Sequence, residues 1–97
     1  MTDRRAVKTH RIRGRRYHIR WDGKNKKVYG TADAPTKAHP TITIYKYLKG
    51  RSLLYALLHE SLHACFWDMD EEAVTEAATD ISHLLWRLGY RRQKEDE

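Results

Sequence analysis

The chain has 97 residues, is 40% hydrophobic with three Trp and six Tyr, and carries a formal net charge of +6. That length gives one domain with a modest core, and the aromatic content excludes a disordered chain. A single cysteine, Cys65, excludes an internal disulfide framework and suits a reducing cytoplasm.

The charge is unevenly placed. Residues 1–27 hold eleven Lys/Arg against Asp3 and Asp22, a local +9, whereas residues 68–86 hold six Asp/Glu and no Lys/Arg, a local −6. A basic segment of that density reads either as a phosphate-backbone contact or as a solvated tail that keeps the protein soluble. Residues 1–14 contain no apolar run of the kind a signal peptide needs, and the expectation for them is a flexible basic arm. The longest apolar-rich stretch, residues 53–67, is broken by His59, Glu60 and His63 and is too short to span a bilayer. The expectation is therefore a soluble cytoplasmic protein with no membrane partner.

From residue 15 the pattern becomes periodic. RRYHIRW (15–21) sets Tyr17, Ile19 and Trp21 against His18 and Arg20, the alternation of a half-buried strand. DGKN (22–25) is a turn signal, and KKVYGTA (26–32) reads as the returning strand of a hairpin. DAPTKAHP (33–40) holds both prolines and reads as a loop, and the β-branched PTITIYKYL (40–48) reads as a third strand. SLLYALLHESLHACFW (52–67) is apolar on nearly every side, which predicts a helix in the middle of the domain. Asp68 or Asp70 is a candidate N-cap for a second helix over about 71–88. Its apolar face would comprise Val74, Ala77, Ala78, Ile81, Leu84, Leu85 and Leu88, with Gly89 as C-terminal cap. The predicted fold class is α+β: a three-stranded, mainly antiparallel sheet followed by two packed antiparallel helices. One domain would cover residues 15–92, with a frayed tail at 93–97.

Within the first helix, HESLH (59–63) has the pattern His-Glu-x-x-His. Residues four apart share a helix face, so His59 and His63 can offer two imidazole nitrogens to one cation. Glu60 lies about 100° round the helix from His59, free of the ligand set and able to act as general base toward a water whose pKa a metal has lowered. Zinc is the default ion for two His plus a carboxylate. The competing expectation is two helix histidines hydrogen-bonded to carbonyls or acids, with Glu60 exposed. Leu57, Leu58, Leu62 and Ala64 surround the motif, and unpartnered ionisable groups among them would cost several kcal/mol, which favours a metal.

A third protein ligand must come from the second helix, where Glu71, Glu72, Glu76, Asp80 and His83 are available. With a pivot near residues 67–68, antiparallel helices bring Glu72 beside His63 and Glu76 beside His59, and spacing does not separate the two. Asp80 and His83 lie further along and suit the orienting of a ligand imidazole through its other nitrogen. Tyr45 or Tyr47 could stabilise an oxyanion, although strand aromatics more often pack. Trp67 and Trp86 are expected to close the core, and Cys65 to be a small core residue. His10 and His18 are expected at the surface, and His39 has no evident role.

GTADAP, then TITIYKYLKGRSLLYALLHESLHACFWDMDEEAV and DISHLLWRLGYR, together resemble very small phage and bacterial zinc-metallopeptidase-like proteins of SprT-like or minimal gluzincin type. The likeness covers about residues 28–92 and implies a zincin-like domain in a bacterial or phage-infected cytoplasm. It also implies Zn2+ on His59, His63 and a third ligand from the next helix. The acid pair before Val74 tips that ligand to Glu72 with Glu76 as alternate, and the third histidine of SprT domains would correspond to His83. The implied activity is a minimal zinc peptidase acting on a peptide or protein substrate, with Glu60 as general base. The other expectation is a nucleic-acid-associated or structural phage protein, in which the metal only holds the fold and residues 1–27 contact phosphates.

Overall fold

The computed structural model describes residues 6–23 and 29–91. The first five residues of the expected arm, the segment 24–28 with most of the expected hairpin turn and the start of the return strand, and the expected tail at 93–97 lie outside the described residues. The elements run β1 (Thr9–Ile12), β2 (Arg15–Asp22), β3 (Gly30–Ala32), β4 (Thr41–Tyr45), α1 (Gly50–Cys65) and α2 (Glu71–Arg87). The α+β class is as expected, but the sheet is not.

It has four strands in the order β1-β2-β4-β3, with β2 and β4 parallel and the two outer pairs antiparallel. The expected three-stranded, mainly antiparallel arrangement and the direct hairpin from residues 15–21 to 26–32 are both corrected. β4 takes the place between them because its Ile42 and Ile44 are buried, and a strand in the interior of a sheet shields such side chains best. The small residues of β3, Gly30 and Ala32, fall to the edge, paired with Ile44 and Ile42. At the other edge, residues 9–12 are not part of a flexible arm. They form β1, joined to β2 by a tight turn in which Arg13 (φ 47°) and Gly14 (φ 83°) both take left-handed conformations.

Strand alternation sorts the side chains. Tyr17, Ile19 and Trp21 of β2 share a face with Ile42 and Ile44 of β4 and with Gly30 and Ala32 of β3, following the strand register. Helix α1 lies against this face. Its buried residues Leu53, Ala56, Glu60 and Ala64 recur at three- and four-residue spacing, one stripe toward the sheet. Tyr17, Ile42, Ile44, Leu48, Leu53, Ala56 and Ala64 form the core cluster. The Tyr17 hydroxyl donates to the Asp33 carbonyl (3.0 Å), while the Asp33 carboxylate accepts from the Thr41 amide (3.0 Å), which fixes the β3–β4 loop to the core.

α2 packs on α1, away from the sheet, and runs back along it, since its Thr79 and Ser82 line the same surface hollow as Arg51, Ser52 and Tyr55 at the start of α1. Asp70 caps α2, its carboxylate accepting from the Ala73 amide at 2.7 Å. The C-terminal end is a Schellman motif: the Gly89 amide (φ 88°) donates to Trp86 and the Tyr90 amide to Leu85. The buried stripe of α2 is Val74, Ala78 and Ser82. The expected face is therefore rotated, for Ile81, Leu84 and Leu88 are 39%, 54% and 63% exposed. The small side chains at 78 and 82 are the ones buried in this stripe, whereas the bulkier Ile81, Leu84 and Leu88 stay outside it. Trp67, expected in the core, is also exposed, because α1 ends at Cys65 and leaves it in the connection. Cys65 is partly buried, and its carbonyl at the end of α1 accepts from the Arg13 guanidinium at 2.8 Å. No helix among the described residues is long and apolar enough to cross a membrane.

Candidate metal centre

His59 and His63 sit one turn apart on the side of α1 that faces the start of α2. Their Nε2 atoms are 3.1 Å apart. The carboxylate of Glu71 spans both, with Oε1 3.0 Å from His59 Nε2 and Oε2 2.8 Å from His63 Nε2. His59, His63 and Glu71 form the only group of three or more potential ligands gathered within 4.8 Å among the described residues. The imidazoles are mostly buried, whereas Glu71 is largely open to solvent.

The expected partners Glu72 and Glu76 are exposed and outside this cluster, as are Asp80 and His83. The reason is rotational. Glu71 is three residues before Val74 and seven before Ala78, so it continues the buried stripe of α2 toward α1. Glu72 is turned about 100° and Glu76 about 140° from Glu71. The pivot also shifts, because α1 ends two residues earlier than the expected Trp67. Stripe geometry held the signal for Glu71, had the stripe been drawn through Val74, Ala78 and Ser82.

Glu60 occupies the position expected of it beside the cluster but is not exposed. It is 6% accessible, pressed against the edge strand β3, where a Cβ at Gly30 would stand 3.1 Å from its Cγ. Loss of solvent first, and the nearby Glu71 carboxylate second, together raise its pKa from 4.5 to about 7. Glu60 lines a cleft of about 440 Å³ together with Tyr29, Gly30, Tyr55, His59 and Glu71.

Tyr55 was not singled out by the motif, yet its hydroxyl lies 2.9 Å from His59 Nδ1. It stands four residues before His59, so the row Tyr55, His59, His63 follows one helix face, and that spacing was readable. With Nδ1–H donating to the Tyr55 oxygen, the Nε2 lone pair of His59 is directed into the cluster. Tyr45 and Tyr47, the expected oxyanion candidates, pack edge-to-face on each other (ring centroids 5.5 Å apart) and do not line the cleft.

The donor set fits a small divalent cation. Tetrahedral ligands at about 2.0–2.1 Å from one ion lie roughly 3.3 Å from one another, close to the observed 2.8–3.1 Å separations. Hydrogen bonds alone satisfy the group less well. If both Nε2 atoms carry protons directed at Glu71, nothing attractive remains between two nitrogens 3.1 Å apart. No family model, curated protein or solved structure matches the chain.

Proposed function

We propose that the protein is a metal-dependent hydrolase whose ion, zinc by ligand chemistry, is held by His59, His63 and Glu71. The observation that carries this reading is the convergence of two imidazole Nε2 atoms and one carboxylate beside a buried glutamate that belongs to no ligand set. When bound, such an ion supplies Lewis acidity and lowers the pKa of water to near neutrality. Tyr55 holds the His59 ring in place and fixes which nitrogen faces the cluster. Glu60, on the wall of the same cleft, takes a proton from the attacking water on its carboxylate and returns it to the departing nitrogen of a peptide. The adjoining β3 wall keeps water from the far side of that carboxylate. The peptidase assignment rests on the resemblance of HESLHA and its surroundings to small zinc peptidases. A site that only held the fold together would need the ligands but no base in the cleft and would close its fourth position.

The test loads the protein with zinc, measures bound metal, and follows cleavage of a fluorogenic peptide library. Glu60→Gln is expected to bind the ion as the wild type does while losing turnover by about 10²–10⁴. Unchanged turnover in that variant overturns the mechanism, wild type with bound zinc but no turnover makes the site structural, and no bound zinc overturns the metal reading itself.

A further inference from the structure

The face of the sheet turned away from α1 is covered by no other element among the described residues. Alternation and register place Arg11 of β1, Arg16, His18 and Arg20 of β2, and the threonines at 31, 41 and 43 on it. Arg11, Arg16, His18 and Arg20 are all exposed. The acids of residues 68–80 lie two layers away, on α2 and the connection before it, apart from the sheet arginines.

We propose that this sheet face binds the phosphate backbone of a nucleic acid. Three observations carry it. First, Arg11 and Arg16 stand directly opposite each other across the β1–β2 pair. Like charges so placed destabilise a sheet, and an anion between them reverses the sign of that interaction. Second, Arg16, His18 and Arg20 form a row with a step of about 6.7 Å, two strand residues each, so two guanidinium groups and a ring N–H between them repeat along a line as backbone phosphates do. Third, the cations are arginines, whose planar forks suit phosphate oxygens, and the interleaved threonine hydroxyls add neutral donors. Among the described residues, only Arg20 of this set has an acid within 4.0 Å, Asp22 at 3.6 Å. Arg11 donates to the Gly14 carbonyl at 3.3 Å, and the His18 ring meets His39 edge-to-face. The same positions offer no cluster of large apolar side chains to enter a bilayer, which favours nucleic acid over a lipid surface.

This narrows the phosphate contact expected of residues 1–27 to a folded surface within them, on the opposite side of the sheet from α1 and its metal cluster. It does not depend on the hydrolase reading. The test uses fluorescence anisotropy with a labelled 20-mer DNA duplex and its single strand, and co-sedimentation with phosphatidylserine-containing vesicles. The proteins are full-length wild type, R11Q/R16Q/R20Q, and the control K49Q/R51Q/R87Q, which removes the same charge elsewhere. Melting curves verify that each is folded. Three neutralised phosphates give a salt slope of about −2.7 on the duplex and about −2.1 on the single strand, so wild-type affinity should fall roughly 40-fold and roughly 18-fold between 50 and 200 mM salt. The sheet triple variant should bind more than 10-fold more weakly at 50 mM with most of that slope gone, and the control should stay within about 3-fold of wild type. Equal losses in both triples, no DNA binding at 50 mM, or tighter binding to vesicles than to DNA would overturn the proposal.

Discussion

Gly30 and Glu60 meet where the edge strand β3 passes over α1. A Cβ at position 30 would stand 2.5 Å from the Thr43 carbonyl oxygen and 3.1 Å from Glu60 Cγ. The first is closer than real Cβ atoms approach backbone, so the missing side chain is what lets β3 pair with β4 and seal the buried carboxylate together. Gly30→Ala should therefore destabilise the fold by about 1–3 kcal/mol, as overpacking generally does. Thr31→Ala, on the outward face of the same strand, should change stability by less than about 0.5 kcal/mol. Thermal melts of the two variants check this, and an unshifted midpoint for Gly30→Ala would refute the packing argument.

The three acids at the start of α2 separate cleanly in this geometry. Glu71→Ala should lower zinc affinity by more than 100-fold, because it leaves two imidazoles without their third donor. Glu72→Ala and Glu76→Ala should bind zinc as the wild type does. Competitive titration with a chromophoric chelator measures all three, and a loss confined to Glu72→Ala would restore the assignment that the family resemblance favours.

Much of this site is legible in the sequence, and the part that is not has a specific physical origin. The i, i+4 spacing of His59 and His63 is fixed by helix geometry alone, so their shared face follows from the letters. The third donor depends on how two helices are rotated against each other. That rotation goes with which side chains are buried, here the small Ala78 and Ser82 rather than the larger Ile81, Leu84 and Leu88. A hydrophobicity pattern ranks those residues the other way. The sheet fails for a related reason: Tyr17, Ile19 and Trp21 announce a strand, but the order of strands depends on non-local burial, which places β4 between two segments adjacent in sequence. β1 is hidden because THRI looks like an arm by charge, and only pairing with β2 gives its residues a partner.

The buried carboxylate also gives the metal-free protein a pH signature. Glu60 carries a folded-state pKa of about 7 against an ordinary 4.5, raised first by desolvation and then by Glu71 facing it from α2. A raised acid pKa means that the folded state holds the proton more tightly. The stabilisation is complete below pH 4.5 and is lost as pH rises through 7, a change of up to ~3 kcal/mol. His59, His63 and Glu71 are ionisable neighbours present in both proteins, so the measurement is the difference between wild type and Glu60→Gln. In chelator-treated protein, the stability of wild type relative to Glu60→Gln should decline from pH 4.5 to 7.5, measured by urea unfolding. A constant or rising difference would show that Glu60 is not held neutral.

Asp70 connects helix stability to the cluster, since it caps the turn whose first residue is Glu71. Asp70→Ala should cost about 1 kcal/mol and lower the melting temperature by roughly 4–8 °C in a domain of this size. Zinc should bind several-fold more weakly as the first turn frays. Asp70→Asn retains the capping acceptor and should restore most of both quantities. If zinc affinity follows neither variant, the placement of Glu71 is independent of the cap.

Tyr55 gives the last separable test, because it touches His59 without offering a ligand to the cluster. Its hydroxyl, 2.9 Å from Nδ1, orients the ring so that Nε2 faces His63 and Glu71. Removing such an outer partner ordinarily lowers metal affinity or activity by about 10–100-fold. Tyr55→Phe keeps the ring that packs edge-to-face on Tyr29 at 6.2 Å, so the fold should lose about 1 kcal/mol or less. The expected pattern is a melting temperature near that of the metal-free wild type, joined to a zinc affinity at least 10-fold weaker. Wild-type zinc affinity in Tyr55→Phe would reduce the hydroxyl to a packing neighbour and leave the imidazole held by the helix alone.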